Sequence, residues 1–136
     1  MTGNSDFRFH DVAILSLDAG PAPLVVTSAD VDRRLAPFYA RTRSMSGLVT
    51  SLAGDFERRQ WPAEVSFIQA AARAGEAAIA AAGIDRARIG VVIDTSVSRA
   101  RLEPSSAVSV HHLLDLPPNC LNFDVSNACL GHAGVD

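Results

Sequence analysis

Short apolar runs alternate along the chain with longer stretches of mixed polarity, and this alternation predicts both strands and helices. Three short runs rich in β-branched or large apolar residues predict strands: residues 12–17 (VAILSL), 89–95 (IGVVIDT) and 120–125 (CLNFDV). The second run has no polar interruption until Asp94, which is typical of a strand covered on both faces. We therefore expect at least one sheet with a buried central strand.

Three longer stretches predict helices. The first follows Thr27 and Ser28, whose side-chain oxygens can accept hydrogen bonds from the free amides of a first helical turn. The clearest covers residues 63–82, is rich in alanine and stops at Gly83. The third covers residues 105–114 and ends before a pair of prolines.

The region between the first two helices follows neither the helical nor the strand period. We predict a loop over residues 44–61, with a short extended piece over residues 55–60. Strands that alternate with helices of this length favour an α/β architecture with crossover connections. The chain is therefore expected to form an α/β domain.

Composition and charge narrow the classes of partner. The 136 residues include 15 acidic and 12 basic side chains, for a net charge of −3, and 48 % are hydrophobic. A buried core is expected, whereas the scattered basic residues do not form the positive footprint that nucleic acid requires. The polar start does not resemble a signal peptide, and no apolar run reaches the roughly 18 residues of a membrane span. We expect a soluble, cytoplasmic protein without a transmembrane segment.

The two cysteines are candidates for chemistry. They are too few for a disulfide framework, and their spacing fits no common metal-ligand pattern, so no metal site is predicted. Cys129 follows the third predicted strand at a point where a new helix would begin, and the free amides there can stabilise a thiolate or an oxyanion. Gly131 would let a substrate approach closely. On position alone, a small buried apolar cysteine is the commoner interpretation.

The segment FDVSNACLGHAGVD at residues 123–136 resembles the nucleophile segment of thiolase-superfamily condensing enzymes, in the ketoacyl synthase III branch. Two further segments resemble this branch in the same order: GDFERRQW at 54–61 and AARAGEAAIAAAGIDRARIGVVIDTS at 71–96. The resemblance implies a thiolase-like fold, with residues 1–136 as the N-terminal βαβ half of a five-layered αβαβα architecture. It also implies that Cys129 is the nucleophile, with Asn127 and Gly131 shaping the substrate's approach.

A second motif indicates a subgroup within this branch. SVSRARLEPSSA at residues 96–107 is similar to a loop of the OleA-type enzymes, which join two long-chain fatty acyl-CoA molecules head to head. The similarity implies that Glu103 is a general base that reaches across a dimer interface, although a solvated loop glutamate is an equally good interpretation. The implied reaction is a non-decarboxylative Claisen condensation through an acyl-cysteine, giving a β-keto acid for long-chain ketone, olefin or β-lactone synthesis.

Arg58, Arg59 and Trp61 are candidates for coenzyme A binding. Guanidinium groups match phosphate geometry and an indole can stack on a ring, but an ion-paired strand end and a packing tryptophan are the simpler alternatives. Leu52 stands where the branch often has a coenzyme-contacting arginine. This departure leaves the mode of coenzyme binding open, although it is compatible with the OleA-type group.

The resemblance also implies a missing part. Family members supply a catalytic histidine and asparagine, or two histidines, from a second half, whereas this sequence stops at Asp136, inside the expected nucleophile helix. We therefore expect a complementing C-terminal half or a second thiolase-like chain, a dimer, and fatty acyl-CoA substrates with no further cofactor. Two alternatives stay open: a decarboxylating β-ketoacyl-ACP synthase III, and a non-catalytic thiolase-like partner subunit.

Overall fold

The computed structural model describes residues 10–128 and contains helices and strands in alternation. Four strands and four helices follow one another along this part of the chain. They are β1 (Leu24–Thr27), α1 (Ser28–Thr42), α2 (Leu48–Ala53), β2 (Glu57–Gln60), α3 (Phe67–Ala82), β3 (Val91–Asp94), α4 (Ser106–Leu113) and β4 (Leu121–Asp124), with a 3-10 turn at Arg86–Arg88 before β3. The predicted helices and two of the three predicted strands are confirmed, with shorter ends.

The N-terminal part is built on a two-stranded antiparallel ribbon of β1 and β2, in which Val26 lies opposite Arg58. At the end of β1, the Thr27 hydroxyl accepts the Asp30 amide at 3.1 Å, and the Asp30 carboxylate accepts the Thr27 amide at 3.4 Å. This capping box begins α1 at the predicted place. The bonds to Thr27, with a smaller contribution from Arg33, lower the pKa of Asp30.

The helix α2 is held against α1 by one carboxylate. The Tyr39 hydroxyl donates to Asp32 at 2.6 Å, and the Val49 amide donates to the same oxygen at 3.4 Å. The bond to Asp32 raises the pKa of Tyr39. Sequence analysis predicted a loop here and missed α2, because its six residues show no repeat long enough to reveal a helical period.

The alanine-rich helix α3 begins at Phe67 rather than at the predicted residue 63. Ser66 and Gln69 form a capping box, which satisfies the free amides of the first turn and sets the start of the helix. At the other end, Gly83 adopts a φ of 63° and its amide donates to the carbonyls of Ile79 and Ala80. The predicted glycine stop is confirmed.

The C-terminal part is a βαβ unit in which β3 and β4 pair in parallel, joined by α4. Helix α4 packs against both strands and against α3. The core between these elements consists of five buried residues: Ala72, Val110, Leu114, Leu116 and Cys120. Arg86 ties the edge of this core together, since its guanidinium pairs with Glu76 on α3 and its Nε donates to the Leu114 carbonyl at 3.0 Å.

Two strand predictions are wrong in part. Residues 12–17 form no strand; they run beside α3, where the Ser16 hydroxyl donates to the Ala78 carbonyl at 2.7 Å, and Ile14 is 80 % exposed. Within residues 10–128 they have no ladder partner, and an apolar run becomes a strand only where one is available. Among residues 10–128, the helix that packs on β3 is α4, and Val91 is 45 % exposed, so this part of the chain does not cover β3 fully as predicted.

None of the helices within residues 10–128 is both long and apolar enough to cross a bilayer.

Candidate functional site

The βαβ unit brings the two most important predicted site segments to one edge of a sheet. Because β3 and β4 are parallel and Asp94 lies opposite Asp124, their carboxyl ends meet. The loop over residues 95–105, which carries Glu103, leaves β3 at this edge. The segment that leads to Cys129 leaves β4 at the same edge. Ligands of α/β sheets bind characteristically at the carboxyl ends of the strands.

Glu103 is exposed and lies just before the start of α4, where the Ser105 hydroxyl accepts the Val108 amide at 3.3 Å. Its carboxylate makes no hydrogen bond or ion pair with the described residues. The position is therefore compatible both with the predicted base that reaches a neighbouring subunit and with a solvated glutamate.

Asp124 ends β4 and fastens it to α4. Its carboxylate, in a side chain only 6 % exposed, accepts the backbone amides of Ser106 and Ala107, each at 2.8 Å. These are free donors of the first turn of α4, so the carboxylate caps the helix from another strand and lies at its positive end. This cap joins residues 18 and 17 positions apart in sequence, so no local pattern signals it.

Arg99 is a site residue that sequence reasoning missed. Its Nη1 lies 3.7 Å from the Asp124 carboxylate, and its side chain is 21 % exposed. Its Nε and Nη2 are buried without a hydrogen-bond partner among the described residues. An arginine in a loop with several polar residues gives no sequence signal of burial, because burial depends on the packing of elements distant in sequence.

Two further contacts anchor the loop that carries Glu103. At its start, the Ser96 hydroxyl and amide donate to the Asp94 carboxylate at 2.9 and 3.0 Å. Further along, Arg101 donates to the Ser109 hydroxyl on α4. The loop is therefore tied to β3, β4 and α4 by short-range polar contacts.

Three predicted residues concern the nucleophile itself. Asn127 is exposed and follows β4 by three residues, in line with a place at the mouth of the site. Cys129 and Gly131 lie outside the described residues. Their roles as nucleophile and close-approach position stay predictions.

Arg58 and Arg59 are neighbours on β2 and therefore point to opposite faces of the ribbon. Arg58 is half-buried and donates to the Ser28 hydroxyl at 2.9 Å, whereas Arg59 is exposed. Ser28, itself buried at the start of α1, in turn donates to the Asp55 carbonyl. The two guanidinium groups thus do not form one phosphate clamp, although either alone could contact a coenzyme.

Trp61 packs beneath Arg73, whose guanidinium carbon lies 5.1 Å from the centre of the indole. The contact is a cation–π interaction between the end of the ribbon and α3. One face of the indole is therefore already occupied, which favours the packing interpretation over stacking on that face. Coenzyme binding by Trp61 stays a prediction.

Comparison with known proteins agrees with this arrangement. The chain is 39 % identical over 124 residues to the acyl-CoA:acyl-CoA alkyltransferase of Shewanella oneidensis, a match that covers 91 % of this chain and 36 % of the relative. A second acyl-CoA:acyl-CoA alkyltransferase, from Xanthomonas campestris, is 39 % identical over 122 residues, covering 90 % of this chain and 36 % of the relative. No protein-family model matches the chain.

Solved structures agree in fold. A variant of Xanthomonas campestris OleA superposes with a TM-score of 0.85 at 37 % identity, over 96 % of this chain and 40 % of that one. The resemblance to the OleA group of the thiolase superfamily is confirmed. The 3-oxoacyl-(acyl carrier protein) synthase III of Xanthomonas oryzae, FabH, also matches, with a TM-score of 0.81 at 35 % identity over 93 % of this chain and 38 % of that chain. The predicted thiolase-like α/β fold is therefore confirmed as well.

The match to the OleA relatives covers only part of their length. The chain spans a little over a third of the length of the curated relatives it matches. The described part of that third holds the Glu103 loop and the strand that leads to Cys129, joined through α4. The described residues of this portion thus include the Glu103 loop and the start of the segment that leads to Cys129.

Proposed function

We propose that this chain is part of an OleA-like acyltransferase that joins two long-chain fatty acyl-CoA molecules without decarboxylation. The observation that supports the proposal most is the 39 % identity over 124 residues to an acyl-CoA:acyl-CoA alkyltransferase. The two segments that the proposal uses, the Glu103 loop and the segment before Cys129, both emerge at the carboxyl edge of β3 and β4, and Glu103 of one subunit is proposed to act at the corresponding edge of the neighbouring subunit.

In the first step, the Cys129 thiolate attacks the thioester carbonyl of one acyl-CoA. A carbon–sulfur bond forms to Cys129, the bond to coenzyme A breaks, and the coenzyme leaves as a thiolate that takes up a proton. Nucleophilic catalysis of this kind divides one difficult transfer into two easier ones. The acyl group then waits as an enzyme thioester.

In the second step, the Glu103 carboxylate removes a proton from the carbon next to the thioester carbonyl of the second acyl-CoA. The carbanion attacks the carbonyl of the acyl-cysteine, a carbon–carbon bond forms, and Cys129 leaves as a thiolate. Hydrolysis of the remaining coenzyme A thioester by water gives the β-keto acid and free coenzyme A. A decarboxylating enzyme would need no such base, because loss of carbon dioxide generates its carbanion.

The proposal includes a partner. A histidine and an asparagine, carried by a complementing C-terminal half or by a second thiolase-like chain, would polarise the thioester carbonyls. The exposure of Glu103 supports action in a neighbouring subunit and hence a dimer. Coenzyme A thioesters as the only small molecules required, and a cytoplasmic location, are further predictions of this scheme.

The division of labour can be tested with a Glu103→Ala variant in the native assembly of the chain with its partner. With a long-chain acyl-CoA, the variant should still form the acyl-enzyme, since acylation does not use the proposed base, but it should form no β-keto product. Intact-mass spectrometry follows the first step and product chromatography the second. Glu57→Ala is a matched control, because it removes an exposed glutamate from β2, away from the sheet edge.

Two results would contradict the proposal. Unchanged condensation by Glu103→Ala would remove Glu103 from the reaction. A wild-type assembly that condenses only with a malonyl-thioester donor would instead identify a decarboxylating synthase, the activity named for the Xanthomonas oryzae neighbour.

A further inference from the structure

We propose that Arg99 is a positioning residue for the condensation step, because it fixes the Glu103 loop to the end of β4, the strand that leads to Cys129. The inference rests on the proposed function. It goes beyond that function by giving a role to a residue that touches neither reacting group within the described part of the chain.

Asp124 is the fixed point of the arrangement. Its two backbone hydrogen bonds to Ser106 and Ala107 hold the end of β4 against α4 whether or not Arg99 is present. The side chain is almost fully buried, and a carboxylate so placed attracts a nearby cation strongly because little water screens it. Asp124 therefore offers a rigid, negatively charged anchor.

Arg99 is held at this anchor by charge. Its Nη1 is 3.7 Å from Asp124, while its Nε and Nη2 are buried without a partner among residues 10–128. Burying unpaired donors is unfavourable, so an arginine with no attraction to the sheet edge would turn outwards to water. That Arg99 stays inside indicates that the loop is pulled towards Asp124.

Among the contacts of the loop with the sheet, the contact between Arg99 and Asp124 is the nearest to Glu103 along the chain. Arg99 precedes Glu103 by four residues, and the other contacts of the loop are with Asp94 at its start and with Ser109 on α4. Without Arg99, the middle of the loop would lose its attachment to β4, whereas Asp124 would keep its bonds to α4. Glu103 would shift, and the strand before Cys129 would stay in place.

The expected effect is selective. In the native assembly, Arg99→Met should lower the rate of condensation about 100-fold, because a base misplaced by about an ångström loses that much. Acylation of Cys129 should stay within about threefold of wild type, since β4 keeps its anchor. Arg99→Lys should restore condensation to within about tenfold, because it keeps the charge but not the planar guanidinium.

Arg34→Met is the control. It removes an exposed arginine from α1, outside the Glu103 loop and the elements that anchor it, so condensation should change by less than about threefold. Hydrogen exchange supplies a readout independent of activity. Arg99→Met should speed exchange across residues 95–103 and leave β4 unchanged.

Each contrary outcome is distinct. Equal loss of acylation and condensation in Arg99→Met would show a merely structural role, and unchanged condensation would show no role; either result overturns the inference. No rescue by Arg99→Lys would overturn the part assigned to charge. Failure of the proposed function would show itself differently, as a wild-type assembly that forms no acyl-enzyme, and the inference would fall with it.

Discussion

Replacing Asp124 with asparagine should loosen the start of α4. The carboxylate accepts two backbone amides, from Ser106 and Ala107, at 2.8 Å each. An asparagine side chain has one acceptor oxygen, so it can keep one of these bonds but presents its own N–H groups to the other amide. The change in charge also leaves Arg99 without its counter-ion, 3.7 Å away.

The magnitude follows from these contacts. A hydrogen bond to a charged group contributes about 1.5–3 kcal/mol, and a buried donor left unpaired costs about as much as the lost bond. We expect the opening free energy of the first turn of α4 to fall by about 2–3 kcal/mol. At about 1.4 kcal/mol per factor of ten, amide exchange there should accelerate roughly 30- to 150-fold.

The assay is hydrogen–deuterium exchange by mass spectrometry on peptides that cover α4 in the native assembly. Asp85→Asn is a suitable control, because its carboxylate accepts a single amide, from Ala87 at 2.9 Å, in an exposed turn. Exchange at Ser106 and Ala107 within about threefold of wild type would refute the capping argument, since threefold corresponds to well under 1 kcal/mol.

Two further predictions concern stability. Leu114→Ala should lower the free energy of unfolding by about 2–5 kcal/mol in a urea titration, because Leu114 is 5 % exposed and packs in the core with Val110 and Cys120. A loss no larger than that of Leu102→Ala, at an 82 % exposed position, would contradict it. Because the pKa of Asp30 is lowered, its contribution to stability is complete above the unfolded value of 3.8 and is lost as the pH falls through the folded value. Asp30→Asn should therefore reduce the fall in the free energy of unfolding at acid pH. An unchanged fall would contradict the capping role.

Local chemistry explains what the sequence could predict. The capping residue Thr27 and the glycine stop at Gly83 act within one helical turn, so they are readable without knowledge of the fold. Strands β3 and β4 were likewise evident as apolar runs. Residues 12–17 have the same character but no ladder partner among the described residues, and a pairing partner is a property of the whole fold.

The candidate site likewise combines features that local sequence predicts with features that depend on the whole fold. Glu103 could be singled out from a motif, but that its loop leaves the same sheet edge as the segment before Cys129 depends on the parallel pairing of β3 and β4. The cap that Asp124 provides joins residues 17 and 18 positions apart in sequence, and the burial of Arg99 follows from that packing. Strand β2 confirms the extended piece predicted over residues 55–60, but the bond from Arg58 to Ser28 could not be predicted, because it joins residues 30 positions apart in sequence.

The most direct test of the proposed function is peptide-level mass spectrometry of the native assembly after brief incubation with a long-chain acyl-CoA. The scheme predicts one acyl adduct, on Cys129, and none on Cys120, which is a buried core thiol and serves as the control within the same chain. The adduct should disappear in Cys129→Ser. An assembly that makes the β-keto product while Cys129 stays unmodified, or a Cys129→Ser variant with full activity, would contradict it.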